Sequence, residues 1–437
     1  MEKNFVIVAY DFPPINSGGN LRPARMLKYF SDKGFNPIVV TIDHEKHLPD
    51  RTDKTLCEKL PPNAEIIRTP IEGTNLLTRL IDTGYLFLSD SILFRWKKFL
   101  RKNLDDAVAK YKPRFILVTL PPFSIMKLVH NYGREKGIPV LLDFRDPLTY
   151  WVSSPFPSKL HYKHLKRMER NCIESSFKTL VVTPGMKEIY RKIYPELKDK
   201  FEVVMNSFDD YQKTSKTRKS NSKFTIGYFG SFYYNPYSEE LKRKKWWQKK
   251  PYQYFQYTPF DQDWKYRSPY YFFQAMNELF IQFPRYRDKT EVFFAGNKPE
   301  WFDYMVDEFA LRDVVKHIGF VGKEEAIRLH ETCDAFLITS ARFKEFNDYC
   351  IAGKTYEYLS QKKPIIAFVC NGDQKWFIEN SGIGLICEPD DSIESAVKLE
   401  QFFRNKISFK INEEFCNEFL TEKQFNKLYR LIKPLIS

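Results

Sequence analysis

Short runs of aliphatic and aromatic residues, each followed by a helix-length amphipathic stretch, recur through residues 1–210 and begin again at residue 223. A strand that is apolar at nearly every position must be covered on both faces, and a helix after each strand supplies that cover. The pattern restricts the chain to parallel sheets wrapped by helices, and its restart restricts it to two of them. Expected strands of the first half are 5–9, 37–41, 65–68, 115–119, 140–143, 179–183 and 201–204, with helices at 21–33, 91–110, 124–136, 159–176 and 186–193. The second half has expected strands at 224–229, 291–295, 314–318, 335–338, 364–368 and 384–387. Its helices are expected at 270–283, 301–310, 323–332, 354–360 and 392–404. The fold class is α/β, with two Rossmann-like doubly wound halves.

The domains expected from this are 1–210, a polar and basic linker at 211–222, a second α/β domain at 223–410, and a C-terminal helical segment at 411–437. A chain of 437 residues exceeds what one ordinary core holds. Residues 232–268 break the alternation. They are crowded with Tyr, Trp and Phe, carry the cluster Lys242-Arg243-Lys244-Lys245, and read as an insertion between the first strand and first long helix of the second half.

No run of about 18 uncharged apolar residues is present, so no transmembrane helix is expected. The N-terminus passes straight into a strand, unlike a signal peptide. Seven cysteines without C-x-x-C spacing fit free thiols in a reducing compartment, with neither a disulfide frame nor a zinc site. The formal charge of +14 suits nucleic acid, an anionic membrane or a polyanionic substrate.

Several strand ends carry residues suited to chemistry. After the first strand, Pro13 to Arg22 includes Gly18 and Gly19, a loop that can present backbone N–H groups to phosphate, or one that needs two flexible residues. The strand ending at Asp143 runs into Phe144, Arg145, Asp146 and Pro147, at the strand end where α/β sheets bind ligands. A structural ion pair, Asp143–Arg145 or Arg145–Asp146, is the competing explanation. Asn206 follows the last strand of the first half, where it also suits an Asx turn. In the second half, Gly230 and Ser231 end a strand, and Arg267 precedes Ser268 and Pro269, which suit helix positions N-cap and N1. A guanidinium there matches diphosphate oxygens.

The stretch 353–367 reads as a helix, a polar turn and a buried strand. Glu357 is placed near the helix start, either to accept hydrogen bonds from the paired hydroxyls of a ribose or to offset the helix dipole. The D-x-D pattern Asp261–Asp263 reads as a solvated acidic turn rather than a metal site. The seven histidines form neither H-E-x-x-H nor a Ser/His/Asp set.

In order and spacing these pieces resemble the retaining glycosyltransferases of family 4, which have the two-domain GT-B fold with two halves facing a cleft. The loop from Pro13 to Arg22 resembles that family's N-terminal glycine loop. Asp143-Phe144-Arg145-Asp146-Pro147 resembles the D-F-R-D-P-W segment of one bacterial branch, with Leu148 in place of Trp. Asn206-Ser207-Phe208-Asp209 resembles N-G-F-D. Gly230-Ser231 and Arg267 resemble the donor-phosphate loop and its following helix. Phe320 and Val321 lie in what resembles the base-contacting loop, and Glu357 resembles the ribose-holding Glu. Many members carry a second Glu eight residues earlier, where this chain has Tyr349.

The resemblance implies retaining transfer from a nucleoside diphosphate sugar to a glycan or lipid-linked acceptor in surface polysaccharide synthesis, with no cofactor and no metal. Arg267, Lys354 and the backbone N–H groups of Gly19 and Ser231 would stabilise the leaving diphosphate, and Arg145 and Asp146 would face the acceptor or the transferred sugar. Gly18, Asn206 and Gly230 complete the expected donor set. The C-terminal helix would cross back to the first domain. A cytoplasmic enzyme is expected, touching the inner face of an anionic membrane through 232–268, with no nucleic-acid partner. The competing functions are a GT-B-like epimerase or phosphorylase, and a non-catalytic protein that binds membrane or nucleic acid.

Overall fold

The computed structural model describes residues 3–82, 91–150, 155–212, 223–232, 234–237, 246–248 and 254–436. The basic cluster 242–245 and linker residues 213–222 lie outside these. Two compact units result: Met1–Ser207 with Trp246–Pro259 and Thr421–Ser437, and Phe208–Lys245 with Phe260–Leu420.

The first unit runs β1 (Asn4–Ala9), α1 (Leu21–Asp32), β2 (Asn36–Ile42), α2 (His44–His47), β3 (Glu65–Thr69), α3 (Leu76–Asp82) and α4 (Ser91–Tyr111). It continues with β4 (Ile116–Leu120), α5 (Ser124–Lys136), β5 (Val140–Phe144), α6 (Lys159–Ser175), β6 (Lys178–Val181), α7 (Pro184–Ile193) and β7 (Phe201–Val203). Its seven strands stand in the order β3-β2-β1-β4-β5-β6-β7. All pairs are parallel. Strand order reverses between β1 and β4, so the loops leaving their carboxyl ends diverge there and leave room for a ligand.

Local chemistry sets the helix limits. Thr183 caps α7 by accepting from the Met186 N–H, with Pro184 at its first turn, and Ser158 caps α6. The α5 helix stops at Gly137, which has φ 66°.

The second unit runs β8 (Phe224–Phe229), β9 (Gln262–Asp263), α8 (Trp264–Arg267), α9 (Tyr270–Gln282), β10 (Thr290–Ala295), α10 (Phe302–Glu308), β11 (Val315–Gly319) and α11 (Lys323–Thr332). Then come β12 (Ala335–Thr339), β13 (Arg342–Phe343), α12 (Gly353–Ser360), β14 (Ile365–Phe368), α13 (Asp373–Ser381), β15 (Gly384–Cys387), α14 (Ser392–Phe403) and α15 (Glu413–Asn417). Its sheet has the order β11-β10-β8-β12-β14-β15, reversing between β8 and β12. The last helix, α16 (Thr421–Ile436), belongs to the first unit, where Phe425, Leu428 and Ile432 join Tyr29, Phe30 and Phe35 in the core.

Helix α9 begins at Tyr270, where the sequence reading put it, and Ser268 Oγ accepts from the Tyr270 N–H at 3.2 Å, in keeping with the capping role expected of it. The insertion is not wholly irregular. Its last residues form β9 and α8, and Trp246–Pro259 is part of the first unit, where Phe156 and Tyr257 exchange backbone hydrogen bonds.

Beneath the first unit's loops lies a buried ion pair. Arg22 of α1 donates from Nη2 to Asp143 Oδ1 at 2.8 Å, and from Nε to both carboxylate oxygens. Its Nη1 reaches the Met205 carbonyl at 3.1 Å and Asn206 Oδ1 at 3.4 Å. One guanidinium thus gathers α1, the end of β5 and the segment after β7. Asp143 is fully buried, so removing only its partner leaves an uncompensated charge. Arg22→Met is expected to destabilise the first unit by about 3–5 kcal/mol in urea denaturation, and Arg22→Met/Asp143→Leu to recover most of that loss.

Candidate functional site

In the first unit the loop after β1 and the loop after β5 meet at Gly19. The residue is buried, and a side chain there would run into the Arg145 guanidinium and the Asp11 carboxylate. Any side chain at this position would have to displace those two charged groups. Arg145 is docked on the end of β4: its N–H donates to the Leu120 carbonyl at 3.0 Å, and its Nη2 to the Pro121 carbonyl at 2.8 Å. The Asp143–Arg145 ion pair does not form, because Asp143 is taken by Arg22. Asp146 follows in the same loop, half-buried, while Gly18 is exposed at the loop tip. Asn206 sits lower, against Arg22. Asp11 was missed by the sequence reading, although its place just past β1 is where ligand-facing residues of such sheets occur.

In the second unit the site forms where the strand order reverses. Gly230 leaves β8 with φ 137°, and a Cβ there would lie 2.5 Å from Lys354 Nζ. The ammonium rests 3.5 Å from the centre of the Tyr228 ring. Gly296, with φ 149°, has no side chain to obstruct the Gly230 carbonyl, and Ser231 Oγ accepts from the Asn297 N–H at 2.9 Å. Arg267 ends α8, and its carbonyl accepts from Thr339 Oγ1 at 3.1 Å.

Helix α12 starts at Gly353, so Lys354 occupies the first turn and Glu357 the second. This corrects the expectation of a helix-start carboxylate. The dipole effect fades within the first turn, which removes dipole compensation as the reason for Glu357. Lys354 stands instead at the helix end that disfavours cations. Burial lowers its pKa, Glu357 raises it and Arg267 lowers it, leaving it at about 7. Burial also opposes charge on Arg267, but Cys350, Asp348 and Tyr349 outweigh it and hold the guanidinium above its usual value.

Asp348 is the main residue the sequence reading overlooked. Its Oδ1 accepts from the Cys350 N–H at 3.0 Å and its Oδ2 from the Ala341 N–H at 3.2 Å, closing the loop after β12. Burial pushes its pKa up to about 6 against the lowering effect of Arg267. The sequence signal was present one position before Tyr349. Tyr349 itself is buried at 5% exposure, with its ring 5.3 Å from Phe343 and 5.7 Å from Phe346. It stands in an aromatic stack where the resemblance led to a carboxylate. Asp261 pairs with Lys344, and Asp263 caps α8 by accepting from the Lys265 N–H, so both acids of the D-x-D pattern are engaged.

Phe320 and Val321 follow β11 at the same end of the sheet. The Gly296 N–H bonds the Gly319 carbonyl at 2.8 Å, tying their loop to the one against Gly230. Phe320 is 66% exposed, an unusual setting for an aromatic ring and one suited to stacking on a flat ligand.

The arrangement joins two half-buried cations, a carboxylate and close backbone at the carboxyl end of a parallel sheet, in a chain of two Rossmann-like α/β units. Residues 267–418 match the family model described as glycosyl transferases group 1, and the chain is accordingly an enzyme of the glycosyltransferase type. No curated protein sequence matches it. Sucrose-phosphate synthase from Thermosynechococcus elongatus has a similar fold, with TM-score 0.66 at 12% identity over 99% of each chain. A glycosyltransferase from Rickettsia africae gives 0.63 at 14% identity, over 100% of this chain and 99% of that one. Anabaena HepE in complex with UDP gives 0.60 at 11% identity, over 99% and 100%.

An anion bound beside Lys354 favours its charged form, so binding above pH 7 must take up a proton. Affinity for a nucleoside diphosphate is expected to fall by up to about tenfold per pH unit above neutrality. Calorimetry in buffers of different ionisation enthalpy will detect the uptake, and Lys354→Arg is expected to abolish it.

Proposed function

We propose that this chain is a retaining glycosyltransferase, akin to family 4, that takes a sugar from a nucleoside diphosphate sugar. The observation that carries the reading is the grouping of Arg267, Lys354 and Glu357 around Gly230. When the glycosidic bond to the donor breaks, negative charge collects on the departing diphosphate. Arg267 and Lys354, both already stripped of much of their water, meet that charge without needing to reorganise. The N–H of Ser231 adds a donor, and Gly230 lets the phosphates approach the backbone. Glu357 accepts from the ribose hydroxyls, and Phe320 with Val321 holds the base. These groups do the electrostatic work without a metal ion.

In the first unit, Arg145 and Asp146 serve the acceptor or the transferred sugar. Gly18, Gly19 and Asn206 shape the loops beside them. The acceptor is a glycan or a lipid-linked sugar of surface polysaccharide synthesis, and the enzyme works on the cytoplasmic side of an anionic membrane.

Two surfaces support the membrane part of this reading. In the aromatic segment 232–268, Trp247 is 60% exposed and Phe255 73%. On α4, Trp96, Leu100 and Leu104 are buried, while Phe94, Lys97, Lys98 and Lys102 line its outward face. Leu76 and Leu77 of α3 are also exposed, and a hydrogen bond from the Glu72 N–H to the Arg95 carbonyl ties their segment to α4. Apolar groups ringed by lysines suit an anionic lipid surface.

A thermal-shift screen against UDP-, GDP-, CMP- and ADP-sugars tests the donor. One of them is expected to stabilise the protein by about 2.7 kcal/mol at a hundredfold excess over Kd, and Glu357→Ala to lose that response. Unchanged nucleotide affinity in Glu357→Ala would rule out the ribose role. For the membrane, co-sedimentation with phosphatidylglycerol vesicles but not phosphatidylcholine vesicles is expected, and reversal of charge in K97E/K98E/K102E should weaken it strongly.

A further inference from the structure

We propose that Glu169 is a positioning residue for Arg145 and Asp146, holding their loop through Thr149. The inference rests on the reading that this loop serves the acceptor side. One end of the loop is anchored by Arg145 on the carbonyls of Leu120 and Pro121. Four residues further on, it is anchored again by Thr149, whose hydroxyl donates to Glu169 Oε2 at 2.5 Å. Asp146 lies between the two anchors.

Glu169 belongs to α6 and is fully buried. Besides Thr149 it accepts from Tyr190 at 2.8 Å and from Tyr194 at 2.9 Å. The single carboxylate therefore ties together α6, α7 with its exit, and the loop after β5. Tyr190 packs on Phe144, Tyr150 and Phe201, so the anchor is continuous with the end of β5 itself. The titratable groups facing Glu169 are Tyr150 from the loop, Tyr190 and Tyr194, and Tyr162 and Cys172 of its own helix. No Lys, Arg or His among the described residues pairs with it.

A buried acid satisfied by three neutral hydroxyls and the Thr149 backbone, with no cation beside it, is a poor choice for stability alone, because an apolar side chain of similar volume avoids the desolvation penalty. What an acid offers here is geometry: two oxygens receive three hydroxyl donors from three segments. Burial raises its pKa, against the opposing effect of the hydrogen bonds from Thr149, Tyr190 and Tyr194. Protonation converts an acceptor into a donor, and the set of three hydroxyls then no longer fits. Positioning is thus present when Glu169 is ionised and is lost as pH falls through its raised pKa.

The test uses the full chain and the donor identified by thermal shift, following release of the nucleoside diphosphate across the acid and neutral range. Glu169→Gln keeps the shape and removes the charge. It is expected to leave donor KM and melting temperature near those of the parent, to lower kcat by about ten- to a hundredfold, and to lose the acid limb of the parent's pH profile. Thr149→Val removes the loop's hydroxyl without touching Glu169 and should reproduce the fall in kcat, and the double variant should be no worse than either single one. A folded Glu169→Gln with the parent's kcat and pH profile overturns the proposal. Should that variant fail to fold, an unchanged kcat in Thr149→Val does so. A parent that binds and turns over no nucleotide sugar defeats the functional reading first, and the proposal with it.

Discussion

The second unit is organised around a cation held where a cation is disfavoured. Lys354 sits in the first turn of a helix, beside a second cation, with much of its water removed. Each of those conditions works against the charge, and the surroundings offset them only in part, through Glu357 and the face of Tyr228. Gly230 gives up a side chain to admit the ammonium. Such an arrangement makes sense when the missing counter-charge arrives with a ligand. The first unit shows the opposite solution. Arg22 is neutralised internally by Asp143, and that pair holds the frame on which Arg145 is carried. One unit keeps its charge balanced and structural; the other leaves it open.

The broad architecture was legible because parallel strands announce themselves. β1, β2, β4, β5, β8, β12 and β14 are apolar at almost every position, and all but β8 and β12 lead directly into a helix. The signal fails where an element is not buried in that way. Helix α3 exposes Leu76 and Leu77, so it lacks a one-sided pattern, and α13 buries little more than Gln374, Phe377, Ile378 and Ser381. The insertion was legible as an interruption. That Trp246–Pro259 belongs with the first unit depends on a pairing between Phe156 and Tyr257, which no local pattern reveals.

Site residues were legible in proportion to their dependence on backbone form. Gly19 and Gly230 stood out because few residues suit such turns, and both prove to make room for a charged side chain from elsewhere in the chain. Partnerships were less accessible. Nothing near Asp143 in sequence points to Arg22, so the nearby Arg145 looked like its natural partner. Asp348 went unnoticed because its importance comes from the loop it closes, and Tyr349 drew attention to itself as a missing acid. Glu357 was found for a partly wrong reason, its true place being one turn deeper in the helix.

The placement of α16 has a consequence for how the protein is made. Phe425, Leu428 and Ile432 complete the core around Phe30 and Phe35, yet they are translated after every residue of the second unit. During synthesis, therefore, the first unit waits with an uncovered apolar face while the second can already fold. The unit begun before the second is completed only after it, and a nascent chain paused before residue 421 would be the species most in need of a chaperone.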